Sequence, residues 1–248
     1  MRRVLIACVL LAVLAGVTGL QWWRTHAIGP VQRGARAAAA RGCLSCHGAA
    51  GRAADPEGVR GIGPIPSFEH DDVAAYARSE AEIREWIQDG KPRRLREDGG
   101  EPGALLQMPA WRGVVSAREL DELVAYVKAV SGFDPVPDRV LPGREAAAQL
   151  GCFACHGPAG RGDTPNPGAL KGYVPSWSGS DFRELARDDA EVREWIRDGS
   201  PRRLREHPLA AFFMRRQAIR MPAFGARVSE DELRQLTAYI RWLQDTSR

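Results

Sequence analysis

One six-residue phrase, written twice, constrains this chain more than anything else in it. "CLSCHG" (Cys43 to Gly48) returns 109 residues later as "CFACHG" (Cys152 to Gly157). Its neighbours return with it at the same offset. "AEIREWIQDGKPRRLRE" (Ala81 to Glu97) recurs as "AEVREWIRDGSPRRLRE" (Ala190 to Glu206), and "IPSF" (Ile65 to Phe68) as "VPSW" (Val174 to Trp177). The offset then becomes 113, so the second copy carries four extra residues before "MPAW" (Met108 to Trp111) is answered by "MPAF" (Met221 to Phe224). "SARELDELVAYV" (Ser116 to Val127) matches "SEDELRQLTAYI" (Ser229 to Ile240). A stacked array needs more copies than two, so the repeat implies two similar domains. Their joint is "SGFDPVPDRVLPG" (Ser131 to Gly143), whose prolines and glycines suit a stiff extended connection. The expected division is an N-terminal segment over 1–30, a first domain over 31–132, a linker over 133–141 and a second domain over 142–248.

Each copy reads as helices and loops without strand alternation, so the expected class is all-α. A first helix, "GARAAAARGC" or "GREAAAQLGC", runs into the cysteine phrase. A loop rich in Gly and Pro follows. The next helix has apolar residues at helical spacing (Ile83, Trp86, Ile87; Val192, Trp195, Ile196) and stops at Gly90 or Gly199. The last helix begins at Ser116 or Ser229, with an acid three residues on. Leu120, Leu123 and Tyr126 form its apolar face in the first copy, and Leu233, Leu236 and Ile240 in the second.

The order Cys-x-x-Cys-His is the attachment signature of c-type haem. Two thiols on one helical turn reach two vinyl groups on one porphyrin edge, and the next residue, a histidine, projects over the ring to bind iron. Cys43, Cys46 and His47 form one such set, and Cys152, Cys155 and His156 the other. Two covalently bound haems would also supply the core that domains this small, with modest aliphatic content, otherwise lack. A redox dithiol expects a βαβ context, which is missing. Zinc needs four ligands per site, and each copy brings two cysteines and one histidine close together.

Iron needs a sixth ligand unless the protein performs chemistry there. Four methionines occur. Met108 and Met221 hold equivalent places in the repeat, each followed by Pro-Ala-aromatic, and are the candidate axial ligands opposite His47 and His156. Met214 has no counterpart. His70 and His207, the rival ligands, have no counterparts either and sit among charges, which suits solvated surface.

With these residues in view, each copy resembles a class I c-type cytochrome, and the pair resembles a diheme cytochrome c. The resemblance covers nearly everything after residue 33. It rests on Gly34 and Gly143 early in the first helix, the two Cys-x-x-Cys-His phrases, the "W-I-x-D-G" helix, the "M-P-A" loop, and Tyr126 or Tyr239 in the last helix. It implies that the first and last helices cross closely at the early glycine. It also implies that a proline carbonyl after the histidine accepts from that histidine's second ring nitrogen. Pro66 and Pro175 are the candidates, with Pro64 a competitor in the first copy. The chain departs from the family where Ala37, Ala38, Ala146 and Ala147 replace a bulky aromatic, and where the stretch between "DG" and methionine is enlarged.

Trp86 and Trp195 read as core aromatics against haem, with a ring N–H able to reach a propionate. Arg93, Arg94 and Arg96 recur as Arg202, Arg203 and Arg205. They suit a propionate or loop-structural role, or a basic face for an acidic redox partner. The net charge of +4 is too small to argue for nucleic acid.

The first 24 residues bear on location. "MRR" is followed by the uncharged run Val4 to Leu20 and by Trp22 and Trp23. A helix from Val4 to Trp23 would be about 30 Å long, the thickness of a bilayer core. An uncleaved transmembrane anchor is expected, with a cleaved signal as the alternative, and Cys8 as a buried thiol in it. The sequence thus reads as an electron carrier rather than an enzyme. It would sit in the bacterial inner membrane with its haem domains facing the periplasm or cell exterior. The alternatives are an electron-entry subunit of a larger respiratory complex, and a diheme peroxidase, which would need an open sixth position.

Overall fold

Glycine decides how tightly the two longest contacts of the fold can close. The computed structural model describes residues 2–26, 28–52, 65–97 and 107–246. Helix α1 spans Arg2–His26 and α2 spans Pro30–Ala40. The short α3 (Cys43–His47), α4 (His70–Tyr76), α5 (Glu80–Asp89) and α6 (Arg93–Glu97) follow, and α7 (Ala117–Ser131) closes the first unit. The second unit repeats this order with α8 (Leu141–Gln149), α9 (Phe153–His156), α10 (Ser180–Leu185), α11 (Asp189–Asp198) and α12 (Arg202–Glu206). In the second unit α13 (Pro208–Arg216) precedes α14 (Glu230–Asp245), and the matching stretch of the first unit, 98–106, lies outside the described residues. In the first unit α2 crosses α7 at Gly34, where a Cβ would lie 1.8 Å from the Glu122 carbonyl oxygen. In the second α8 crosses α14 at Gly143, where a Cβ would lie 2.0 Å from the Gln235 carbonyl oxygen. Any side chain at either position would force the helices apart.

The caps read from the sequence are made. Ser116 accepts from the backbone N–H of Glu119, and Ser79, which the sequence reading did not single out, accepts from that of Glu82. Ser229 and Glu232 bond each other's backbone in a reciprocal capping box. Gly90 and Gly199, both at positive φ, end α5 and α11 in left-handed caps. Two apolar cores result. Ile83, Ile87, Leu120, Leu123 and Tyr126 are buried in the first, and Val192, Ile196, Leu233, Leu236 and Tyr239 in the second.

Two features depart from the expectation. Thr164–Pro165 and Tyr173–Val174 form a two-residue antiparallel ladder, because the Asn166 N–H donates to the Gly172 carbonyl and closes the loop between them. Residues 28 and 29, expected to belong to the N-terminal segment, are packed into the body. Ile28 is buried, the Gly29 N–H donates to the Asp163 carboxylate of the second unit, and Arg33 of the first unit donates to the Ile28 carbonyl.

Helix α1 covers the apolar run, and its Leu5, Leu10, Leu11 and Leu14 side chains are exposed. Among the described residues no helix is long and apolar enough to cross a membrane. The side chains of Trp22 and Trp23 lie outside the described residues.

Candidate functional site

Both cysteine phrases fold into a single helical turn. Cys43 and Cys46 lie on α3, and Cys152 caps α9, which carries Cys155 and ends at His156. All four are free thiols. Burial pushes the Cys43 thiol up from its ordinary value and the Cys152 thiol up to about 11. Each turn ends at a glycine and a single 3-10 turn containing an alanine at positive φ, Ala50 or Ala159.

That tight turn brings the following loop back over the histidine. The Phe68 N–H donates to the Gly51 carbonyl and the Trp177 N–H to the Gly160 carbonyl. The aromatic rings then lie against the imidazoles, with centroids 4.7 Å apart for Phe68 and His47 and 4.8 Å for Trp177 and His156. His47 Nδ1 is 2.7 Å from the Pro66 carbonyl oxygen, and His156 Nδ1 is 3.1 Å from that of Pro175. A carbonyl oxygen only accepts, so Nδ1 carries the proton and Nε2 keeps its lone pair. Burial lowers the pKa of His47 and brings that of His156 down to about 4. Both rings are therefore neutral at physiological pH, the form that binds a metal ion. Pro64 lies outside the described residues, as does the side chain of His70. His207 is exposed and caps α13 through Nδ1.

The methionine loop is held by the end of the "W-I-x-D-G" helix. Trp111 and Arg112 donate their N–H groups to the carbonyls of Ile87 and Gln88, and Phe224 and Gly225 to those of Ile196 and Arg197. A Cβ on Gly90 would be 2.3 Å from the Met108 carbonyl oxygen, and one on Gly199 2.6 Å from that of Met221. The "DG" of each copy thus leaves room for the backbone that carries each methionine.

These elements enclose one cavity per unit. The first, about 800 Å³, is lined by Cys43, Cys46, His47, Met108, Trp86 and Tyr126, among others. The second, about 310 Å³, is lined by Cys152, Cys155, His156, Met221, Trp195 and Met214, among others. Both are mostly apolar. The donor set fits covalent haem: paired thiols on one turn, a neutral imidazole with Nε2 unprotonated, and a thioether lining the same apolar cavity.

The tryptophan N–H groups are not available to a propionate. Trp86 Nε1 donates to the Tyr76 carbonyl at 3.0 Å and Trp195 Nε1 to the Leu185 carbonyl at 2.9 Å. The arginine repeat divides. Arg94 and Arg203 fold back as two-pronged pairs with Glu82 and Glu191. Arg203 holds the Glu191 carboxyl down at about 2. Arg96 lines the first cavity, 3.6 Å from Asp89.

Sequence reasoning missed Asn166. This buried side chain donates to the Ile219 carbonyl at 2.9 Å and accepts from the Ile219 N–H at 2.8 Å. The clamp fixes the chain two residues before Met221. No pattern signalled it, because the first copy has Glu57 at that place and a shorter loop opposite.

Residues 29–127 match the family model "Cytochrome C oxidase, cbb3-type, subunit III", and residues 140–244 match the model "Cytochrome c". The chain is similar to the Cbb3-type cytochrome c oxidase subunit CcoP of Azospirillum sp. (strain B510), 24% identical over 217 residues, covering 86% of this chain and 62% of that protein. It is 25% identical over 215 residues to the subunit FixP of Azorhizobium caulinodans, covering 84% of this chain and 58% of the relative. It is 26% identical over 216 residues to CcoP of Rubrivivax gelatinosus, covering 84% and 53%. The chain thus spans between 53 and 62% of the length of these relatives. No solved structure matches it.

Proposed function

We infer that this chain, a diheme c-type cytochrome, passes single electrons between redox partners outside a membrane that holds it through α1. Cys43 and Cys46 would attach the first haem, and His47 and Met108 would hold its iron. Cys152 and Cys155 would attach the second, whose iron His156 and Met221 would hold. The observation that carries this reading is the donor set repeated in both cavities, a neutral imidazole and a thioether in each. Bound haem iron supplies one-electron exchange between its ferrous and ferric states.

The residues around that iron hold still rather than react. Pro66 and Pro175 fix the imidazole rings. The hydrogen bonds from Trp111 to Ile87 and from Phe224 to Ile196 hold the backbone of the methionine loops. Trp86, Trp195, Phe68 and Trp177 exclude water and keep the pockets apolar. A thioether favours the ferrous state and sets a higher potential than a second imidazole would. Methionine in both cavities disfavours a peroxidase, which needs one open position.

A second reading is electron entry into a larger respiratory assembly, favoured by the relatives, which are cbb3-type oxidase subunits. The exposed apolar side chains of α1 favour a covered helix, and a bilayer supplies that cover. The basic start of the chain supports an orientation with the domains on the periplasmic side of an inner membrane. The exposed guanidiniums of Arg96 and Arg202 suit an acidic partner.

Spectroelectrochemical titration of the full-length protein tests the reading. Two one-electron waves and a near-infrared sulfur-to-iron band worth two haems are expected. A haem that binds carbon monoxide readily in the unmutated protein would overturn it. Copurification after mild detergent extraction separates the free carrier from the complex subunit.

A further inference from the structure

The peptide that holds each histidine is itself held, on its far side, by an aspartate. The Pro66 carbonyl that accepts from His47 and the N–H of Ser67 belong to one peptide group. That N–H donates to Asp72 Oδ2 at 2.9 Å, and the Ser67 hydroxyl donates to the same oxygen at 2.6 Å. In the second unit the Pro175 carbonyl and the Ser176 N–H are likewise one peptide group, and the N–H donates to Asp163 Oδ1 at 2.7 Å. Ser67, Ser176 and Asp163 are buried.

The two aspartates are not counterparts. Asp72 lies five residues after Ser67, and the repeat places Asp181 at its position in the second unit. Asp181 is used elsewhere: it accepts from the Tyr173 hydroxyl and pairs with Lys171 at 2.6 Å. Asp163, thirteen residues before Ser176, takes the place behind the peptide instead, where the first copy has Ala54. The same chemical group has therefore reached the same peptide from opposite directions along the chain.

We propose that Asp72 and Asp163 are positioning residues that tune the two haems through the peptide behind each ligand histidine. This rests on His47 and His156 being the iron ligands. Hydrogen bonds in series polarise one another. A carboxylate drawing on the peptide N–H makes the paired carbonyl a stronger acceptor. That carbonyl in turn pulls on the imidazole Nδ1–H and makes Nε2 more basic. A more basic imidazole stabilises ferric iron, so each aspartate lowers the potential of its own haem.

Asp163→Asn and Asp72→Asn test this in the full-length, haem-loaded protein. Asparagine keeps an oxygen for the serine N–H and removes the charge. Asp163→Asn is expected to raise the ferrous-to-ferric ratio of the second haem about tenfold at a fixed applied potential, a shift of about 59 mV for one electron. Asp72→Asn is expected to do the same to the first haem. In the reduced protein the Nδ1–H proton resonance of the affected histidine should move upfield while the other histidine's stays in place. A change of potential without movement of that resonance would reduce the aspartates to distant charges and overturn the relay. No change in either quantity would overturn it as well. Should Asp163→Asn fail to take up its haem, Asp72→Asn decides alone, because among the described residues the hydrogen bonds Asp72 accepts come from Ser67. Wild-type protein lacking histidine ligation would instead defeat the functional reading and the relay together, an outcome visible before any variant is made.

Discussion

Asn166 grips the methionine loop of the second domain from across its pocket, while the first domain has Glu57 at that place, outside the described residues. The two domains otherwise share their attachment turns, their glycine crossings and their proline–histidine bonds. Their sequences differ in the loops after the histidine and before the methionine. The four extra residues of the second copy coincide with α13, whose C-terminal end meets Gly168 and Pro167. A Cβ on Gly168 would be 2.2 Å from the Arg216 carbonyl oxygen, and the Ala218 N–H donates to the Pro167 carbonyl. Duplication preserved the cysteine turns and the glycine crossings and left these loops free to diverge in length and sequence. Two haems in one chain can thereby acquire different surroundings without any change of ligand.

The largest effect expected is loss of one cofactor. Cys43→Ala with Cys46→Ala should halve the covalent haem per chain and leave the second domain spectrally normal, as measured by haem staining and absorbance. Cys152→Ala with Cys155→Ala should do the reverse. Loss of both haems from either variant would show that the domains do not mature independently. Next in size, Met108→Ala and Met221→Ala should each abolish half of the near-infrared sulfur band and lower one potential by electrochemical titration. Gly143→Ala should destabilise the second domain by about 3 kcal/mol in denaturant unfolding, because its methyl group has no room against Gln235. An effect on the first domain of similar size would mean the two unfold as one.

Smaller effects sharpen the asymmetry. Asn166→Ala leaves both the N–H and the carbonyl of Ile219 unpaired and should cost about 1–3 kcal/mol. It should also weaken the sulfur band of the second haem alone. The smallest effect concerns acid. Arg203 holds the folded Glu191 at about 2, against an ordinary value near 4.5. A depressed pKa contributes stability that is present above the unfolded value and is lost as pH falls through the folded one. The contribution of this pair should therefore disappear between pH 4.5 and about 2. Arg203→Gln should flatten that part of the stability curve by on the order of 1 kcal/mol, read by urea unfolding at several pH values.

Much of this was legible before any coordinates. The repeat located both attachment turns, Gly34 and Gly143 located the helix crossings, and the serine caps located the start of each last helix. These are local rules, or rules that a duplication shows twice. The tryptophan N–H groups were not legible, because their acceptors, the carbonyls of Tyr76 and Leu185, lie ten residues away at the ends of the preceding helices. Asn166 and Asp163 were not legible for the opposite reason. Each acts over a long separation and has no counterpart in the first copy, so neither periodicity nor repetition could mark it. The arginine repeat was half legible. The sequence displayed the charges, but only the fold shows that Arg94 and Arg203 spend theirs on Glu82 and Glu191.

The bond from Gly29 to Asp163 bears on how far these domains can travel. Only three residues, 27–29, separate the end of α1 at His26 from the start of α2 at Pro30. Fully extended, they reach roughly 10 Å. Two of the three are already committed, Ile28 to the interior and Gly29 to the second domain. A tethered carrier that swings between distant partners needs a long, loose leash, since its search volume grows with the length of slack. This chain has almost none. With α1 as the proposed tether, electrons would be collected and delivered within the radius of the domains themselves, by partners that come to the chain or are held beside it.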